Sequence, residues 1–69
     1  MLYVVKVGTH AGDFYLHRGE LGPLESASYY DSPSAAFRAV IAYRESHPIK
    51  SGTRLEVIRA RDLPRPPQA

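Results

Sequence analysis

The chain has 69 residues, of which 43% are hydrophobic and 23% charged, and its formal net charge is +2. These values are typical of one small globular domain and exclude a disordered chain or a large multidomain protein. Because so small a core is marginal and no cysteine is present for a disulfide or a thiolate zinc site, we expect packing and association to stabilise the fold.

The first element is a predicted strand over "LYVVKV" at residues 2–7, which is rich in β-branched and aromatic side chains. Its nearly continuous apolar run indicates a central position in a sheet. The run is too short to cross a membrane, and neither a basic leader nor a small-residue cleavage site accompanies it. We therefore expect a cytoplasmic protein with no membrane partner.

The second element is a strand over "DFYLHR", which "GTHAG" joins to the first strand as a β-hairpin. A turn centred on Ala11 and Gly12 would set Val7 opposite Leu16 and so fix the register. Side chains alternate between the two faces of a strand, and this divides the hairpin into two sets. The predicted core face carries Tyr3, Val5, Val7, Phe14 and Leu16. The other face carries Leu2, Val4, Lys6, Tyr15 and His17.

The third element is a helix that follows a predicted loop, "GELGPLESAS". Ser32 is a suitable N-cap and Pro33 suits the first helical position, so the helix should begin there. It should end near Ser46, because Pro48 cannot continue it. The stripe expected to cover the sheet consists of Phe37, Val40 and Ile41, flanked by Ala36 and the stem of Arg44.

The last element is a strand over "TRLEVIRARDL", expected beside the first strand and antiparallel to it. The predicted fold is α+β, a ββαβ arrangement whose three-stranded antiparallel or mixed sheet has the order 2-1-3, with one helix packed on one face. We expect one domain over residues 1–63 and a flexible proline-rich tail over residues 64–69.

The positive charge of the chain is concentrated in this last strand and the tail. Residues 1–53 contain five basic and five acidic side chains, whereas residues 54–69 contain four arginines and two acidic side chains. A regular strand would place Leu55 and Val57 on the face of Arg59 and Arg61. We prefer a β-bulge at residues 57–58, which would turn both arginines outward and bury the apolar side chains together.

The outward arginines could join Lys6 and His17 in a basic field suited to carboxylates or phosphates. The alternative is that these charges only protect an edge strand from unwanted pairing. The tail also contains "RDLPRPP", whose Arg61, Pro64 and Pro67 match a short pattern of SH3-domain ligands. We interpret that segment as a tail, because such short patterns are frequent by chance.

Catalytic and metal chemistry have no recognisable pattern in the sequence. His10, His17 and His47 lie in three different elements at spacings that match no helical metal pair. No serine lies in a nucleophile elbow, and the glycines form no phosphate-binding loop. We therefore expect no enzymatic activity, no catalytic or metal-binding residue, no cofactor and no small-molecule substrate.

The surface predicted to bind a partner is the sheet face opposite the helix. Its residues are Leu2, Val4, Lys6, Tyr15, His17, Arg59 and Arg61. A protein contact, with a second copy or with a host protein, would cover its apolar side chains. The alternative is a nucleic-acid-binding module that stacks bases on Tyr15 and neutralises phosphates with the basic residues. We favour the protein contact, because the net charge is small and no RNA-recognition signature is present.

The succession of "FYL", "YYDSPSAAFRAV" and "LEVI" resembles a class of short bacterial and bacteriophage proteins built as a hairpin, a capped helix and a last strand. Some phage and mobile-element proteins of this size inhibit host machinery by binding to it, anti-CRISPR proteins among them. The resemblance implies a binding or inhibitory accessory role, and no family residue can be transferred to this chain.

Overall fold

The structure, a computed structural model, describes residues 1–63. Its strands are β1 (Tyr3–Thr9), β2 (Gly12–His17), β3 (Glu20–Gly22) and β4 (Arg54–Arg59), its helix is α1 (Pro33–Ser46), and two 3-10 turns cover Leu24–Ser26 and Ala60–Asp62. The predicted α+β class is confirmed. The predicted tail and the prolines of its SH3-ligand pattern lie outside the described residues. No helix within residues 1–63 is long and apolar enough to cross a membrane.

The sheet has four strands in the order β3-β2-β1-β4, and every neighbouring pair is antiparallel. The three predicted strands are β2, β1 and β4, and they adjoin in the predicted order. The predicted number of strands is wrong, because β3 lies in the segment interpreted as loop. A two-residue turn at Arg18 and Gly19 joins β3 to β2, with φ angles of 50° and 82°. Two positive φ angles are the mark of a type I′ hairpin turn.

The β1–β2 hairpin has the predicted faces but a different register. Val7 lies opposite Phe14, two residues from the predicted partner. The turn lies one residue earlier than expected, because the Thr9 hydroxyl accepts a hydrogen bond from the Ala11 amide and donates one to the Gly12 carbonyl. A shift of two residues leaves every side chain on the same face of its strand.

Residues 28–30 lie between β1 and β2 where these strands separate. The Ser28 amide donates to the Leu16 carbonyl at 3.0 Å, and Tyr3 and Tyr30 exchange two backbone hydrogen bonds of 2.8 Å. These bonds pair backbone groups that the separation of the strands would otherwise leave unpaired.

Helix α1 has the predicted bounds and cap. The Ser32 hydroxyl accepts a hydrogen bond from the Ala35 amide at 3.1 Å, and Pro33 occupies the first helical position. The predicted core stripe is wrong in two of its three members. Ala36 and Val40 are buried against β1, β2 and β4, whereas Phe37 and Ile41 point outward.

Strand β4 is regular, so the predicted bulge at residues 57–58 is absent. It pairs with β1 in an unbroken register that sets Val57 opposite Val5 and Ile58 opposite Val4. The bulge assumed that only one face of the sheet is buried. Both faces have a buried core instead. A regular strand, whose side chains alternate between the faces, therefore partly buries Val57 on one face and Ile58 on the other.

Candidate functional site

The sheet face opposite the helix is not the open surface that the sequence predicted. Val4 is 0% and Tyr15 5% exposed, and they form a second core with Ala27. The partly buried side chains packed against this core are Leu24, Ile58 and Leu63. The segment interpreted as loop therefore folds under the sheet as the 3-10 turn Leu24–Ser26 and closes this face. Because Tyr15 is buried, no base can stack on it.

The basic residues of the predicted surface do not form one field. Lys6 lies 3.5 Å from a carboxylate oxygen of Asp13. The His17 ring is hydrogen-bonded to the Ser28 hydroxyl at 3.0 Å. The absence of the bulge puts Arg59 opposite Tyr3, on the helix side of the sheet, where it donates to Asp62 at 2.9 Å.

The remaining residues of the predicted surface, Leu2 and Arg61, are exposed near the end of β4. Leu2 is 48% exposed, and its carbonyl accepts a 2.7 Å hydrogen bond from the Ala60 amide. Arg61 is exposed in the second 3-10 turn. These two residues remain available for a partner, whereas Val4 and Tyr15 do not.

The three histidines lie apart. His10 packs against Gly52, where a Cβ would lie 2.8 Å from the ring Nε2. The ring of His47 stacks on Tyr43 with centroids 4.4 Å apart. Within residues 1–63, no three His, Cys, Asp or Glu side chains come close enough together to hold a metal ion.

A further charged cluster lies on the β1–β4 pair. Lys6 and Asp13 adjoin Arg54 and Glu56, whose charged groups are 3.7 Å apart, around a shallow depression of about 270 Å³. The cluster holds two positive and two negative charges. These exposed pairs contribute little to stability, as is usual for surface ion pairs.

Comparison with protein-family models, with curated proteins and with solved structures finds no match. Three exposed features of the fold are candidates for the functional site: the edge of β4, an apolar flank of α1, and a groove between α1 and the strands β2 and β3.

The β4 edge, residues 54–59, presents unpaired backbone groups. The Ala60 amide donates to the Leu2 carbonyl, and backbone hydrogen bonds alternate between the two sides of an antiparallel strand. The amides and carbonyls of Leu55, Val57 and Arg59 therefore point away from β1. Within residues 1–63, no backbone group forms a hydrogen bond with these outward-facing amides and carbonyls.

The helix flank, Phe37 and Ile41, is the second feature. These two side chains are 63% and 54% exposed and lie one turn apart on α1. Ala39 and Ala42 line the groove on the β2 side, and at 3.6 residues per turn Phe37 and Ile41 fall on the opposite side of the helix. Because β2 and β4 lie on opposite sides of β1, the helix flank is on the β4 side.

The groove is the third feature, and it consists of two adjoining depressions of about 330 and 160 Å³. The larger is lined by Leu16, Arg18, Gly19, Tyr30, Ala39, Ala42, Tyr43, Ser46 and His47. The smaller is lined by Val7, Thr9, Leu21, Tyr43, Pro48, Ile49, Lys50 and Thr53. Tyr43 lines both, so its ring separates two halves of one apolar-floored surface.

Sequence reasoning missed both the helix flank and the groove, although the sequence contains a signal for each. It placed Phe37 and Ile41 in the core, although Ala36, Val40 and Tyr43 form an equally regular stripe with spacings of four and three. The second stripe would have left the two largest apolar side chains of the helix exposed. A signal for the groove was also present, because "HRGEL" contains a two-residue hairpin turn that begins a further strand.

Proposed function

We propose that this chain is a small protein-binding protein whose first partner is a second copy of itself, joined through the β4 edge and the helix flank. The observation that carries the proposal is the position of two large exposed apolar side chains beside an unpaired strand edge. Exposed edges attract pairing with another strand, and exposed apolar side chains beside them enlarge the contact.

A twofold axis perpendicular to the sheet brings the two features into one interface. Antiparallel pairing of β4 with its copy continues the sheet and keeps both helices on the same face. Phe37 and Ile41 then face the same residues of the second copy across the axis. In the dimer, each copy buries the helix flank that is exposed in the monomer.

The charges of β4 favour one register of this pairing. With Leu55 opposite its own copy, Arg54 of each chain lies opposite Glu56 of the other, and opposite charges in such cross-strand positions stabilise a sheet. A register centred on Glu56 would set two carboxylates against each other. The β4 edge carries charges of both signs, and in the register centred on Leu55 it is self-complementary.

Sedimentation velocity over a concentration series tests the proposal. The wild type should form dimers at high concentration, and Phe37→Lys and Ile41→Lys should remain monomeric with unchanged melting temperatures, because both side chains are exposed in the monomer. Ala42→Lys is the matched control, since it adds the same charge to the other side of α1 and should dimerise. A monomeric wild type throughout the series would show that the proposal is wrong.

Charge reversal tests the register separately. Arg54→Glu should weaken the dimer, because it sets two carboxylates opposite each other, and adding Glu56→Arg should restore it. If the double variant is as weak as the single one, the pairing does not centre on Leu55.

An inhibitory role against a larger host protein is a further part of this proposal, in which an unpaired strand of that protein would replace the second copy.

A further inference from the structure

The groove is on the opposite side of α1 from the helix flank and has a different chemical character. Its floor and walls are apolar or aromatic, through Leu16, Ala42 and the stacked rings of Tyr43 and His47. Small-molecule sites usually enclose most of their ligand, whereas this surface is open and extends over two adjoining depressions. Such a shape fits an extended peptide segment with apolar side chains.

The charges around the groove have one sign. Arg18 lines the larger depression and Lys50 the smaller one, and no acidic side chain of the described residues lines either. Neither Arg18 nor Lys50 forms an ion pair within residues 1–63. In contrast, Lys6, Arg54 and Arg59 each lie beside a carboxylate. The two cations of the groove are therefore available to an acidic ligand, as are the exposed Arg38, Arg44 and Arg61 elsewhere on the surface.

The backbone of Arg18 provides an independent indication. Its φ of 50° lies in the left-handed region, which disfavours residues with a Cβ other than asparagine and aspartate. Gly19 and Gly52 occupy the comparable positive-φ positions without this cost. Strained residues of this kind are concentrated at binding sites, where the side chain is needed at that point.

From these observations we propose that the groove binds an acidic peptide segment with interspersed apolar residues, whose carboxylates pair with Arg18 and Lys50. The apolar side chains of the peptide lie on Ala42 and against the Tyr43 ring. Arg18 can hold a carboxylate through two parallel N–H donors, which gives this end of the groove its directional specificity. This inference goes beyond self-association, because it uses a different surface.

The test uses the full chain and a fluorescent, end-capped octapeptide of alternating glutamate and leucine. Fluorescence anisotropy should detect binding, and the backbone amide signals of Leu16, Tyr43 and Lys50 should shift in NMR spectra. Arg18→Asn should weaken binding by about tenfold or more, as expected for the loss of a charge-assisted hydrogen bond. Its melting temperature should be unchanged or higher, because asparagine tolerates a positive φ.

Arg38→Asn is the matched control, because it removes the same charge from an exposed residue of α1 that lines neither depression. It should bind the peptide like the wild type. A peptide with lysine in place of glutamate should not bind. The proposal is wrong if the glutamate peptide fails to bind, if the lysine peptide binds equally, or if the two asparagine variants lose the same affinity. Repeating the titration with Phe37→Lys separates the proposals, since this variant should lose dimerisation but keep peptide binding.

Discussion

Replacing Val4 with aspartate is expected to unfold the protein, because Val4 lies in the second core. The side chain is fully buried opposite Ile58 and beside Tyr15 and Ala27. A carboxylate at position 4 would be buried among apolar side chains, and the basic side chain of β1 on this face, Lys6, already lies 3.5 Å from Asp13. On an open sheet face the same substitution would leave the monomer folded.

The magnitude follows from two contributions. Burying a valine side chain stabilises a fold by about 1.5–3 kcal/mol, and an unpaired buried charge costs several kcal/mol more. A chain of this length has a free energy of unfolding of about 3–10 kcal/mol. The aspartate variant should therefore lack a stable native state at neutral pH. Val4→Ala should cost about 1–3 kcal/mol and lower the melting temperature by about 4–8 °C for each kcal/mol.

Urea denaturation followed by circular dichroism measures these effects. Leu2→Asp is the matched control, since alternation places it on the same face of the chain two residues away and its side chain is half exposed. Its free energy of unfolding should stay within about 0.5 kcal/mol of the wild type. A Val4→Asp variant with a wild-type denaturation midpoint would show that the second core does not form.

Three further substitutions test local features. Ser32→Ala should lower the free energy of unfolding by about 1 kcal/mol in the same denaturation assay, because it removes the N-cap of α1. Gly52→Ala should destabilise the fold by about 1–2 kcal/mol, and adding His10→Ala should restore little, because a φ of 91° rather than the movable histidine ring dominates the cost. Arg18→Gly should raise the melting temperature, by about 4–8 °C for each kcal/mol of relieved strain, and an unchanged or lower value would contradict strain at this turn.

The predictions that were correct rest on local or periodic signals. The bounds of α1 follow from Ser32, Pro33 and Pro48, whose effects depend only on the neighbouring backbone. The interior position of β1 in the sheet follows from its nearly continuous apolar run. The face of each hairpin residue was correct despite the wrong register, because the error was an even number of residues.

The predictions that were wrong depend on contacts distant in sequence. The segment of residues 19–28 contains three breakers, Gly19, Gly22 and Pro23, and its apolar residues are too few for a periodic pattern. Its burial arises from contact with Val4 and Tyr15, which no local signal specifies. The errors in the bulge and in the binding surface follow from assuming a single core, whereas the error at Phe37 comes from choosing the wrong one of two equally regular helix stripes.

The exposed surfaces of this fold follow from the relative widths of its two layers. A helix is about 10 Å wide and neighbouring strands lie about 4.8 Å apart, so one helix covers roughly two strands. Helix α1 lies mainly over β1 and β4, and beyond the buried Leu16 of β2 the helix side of the sheet, with Leu21 of β3, is left uncovered beside it. The groove is that uncovered strip. Because residues 23–28 cover the opposite face over β1 and β2, the two surfaces that we propose for binding lie at the edge of the sheet and in this strip rather than on that face.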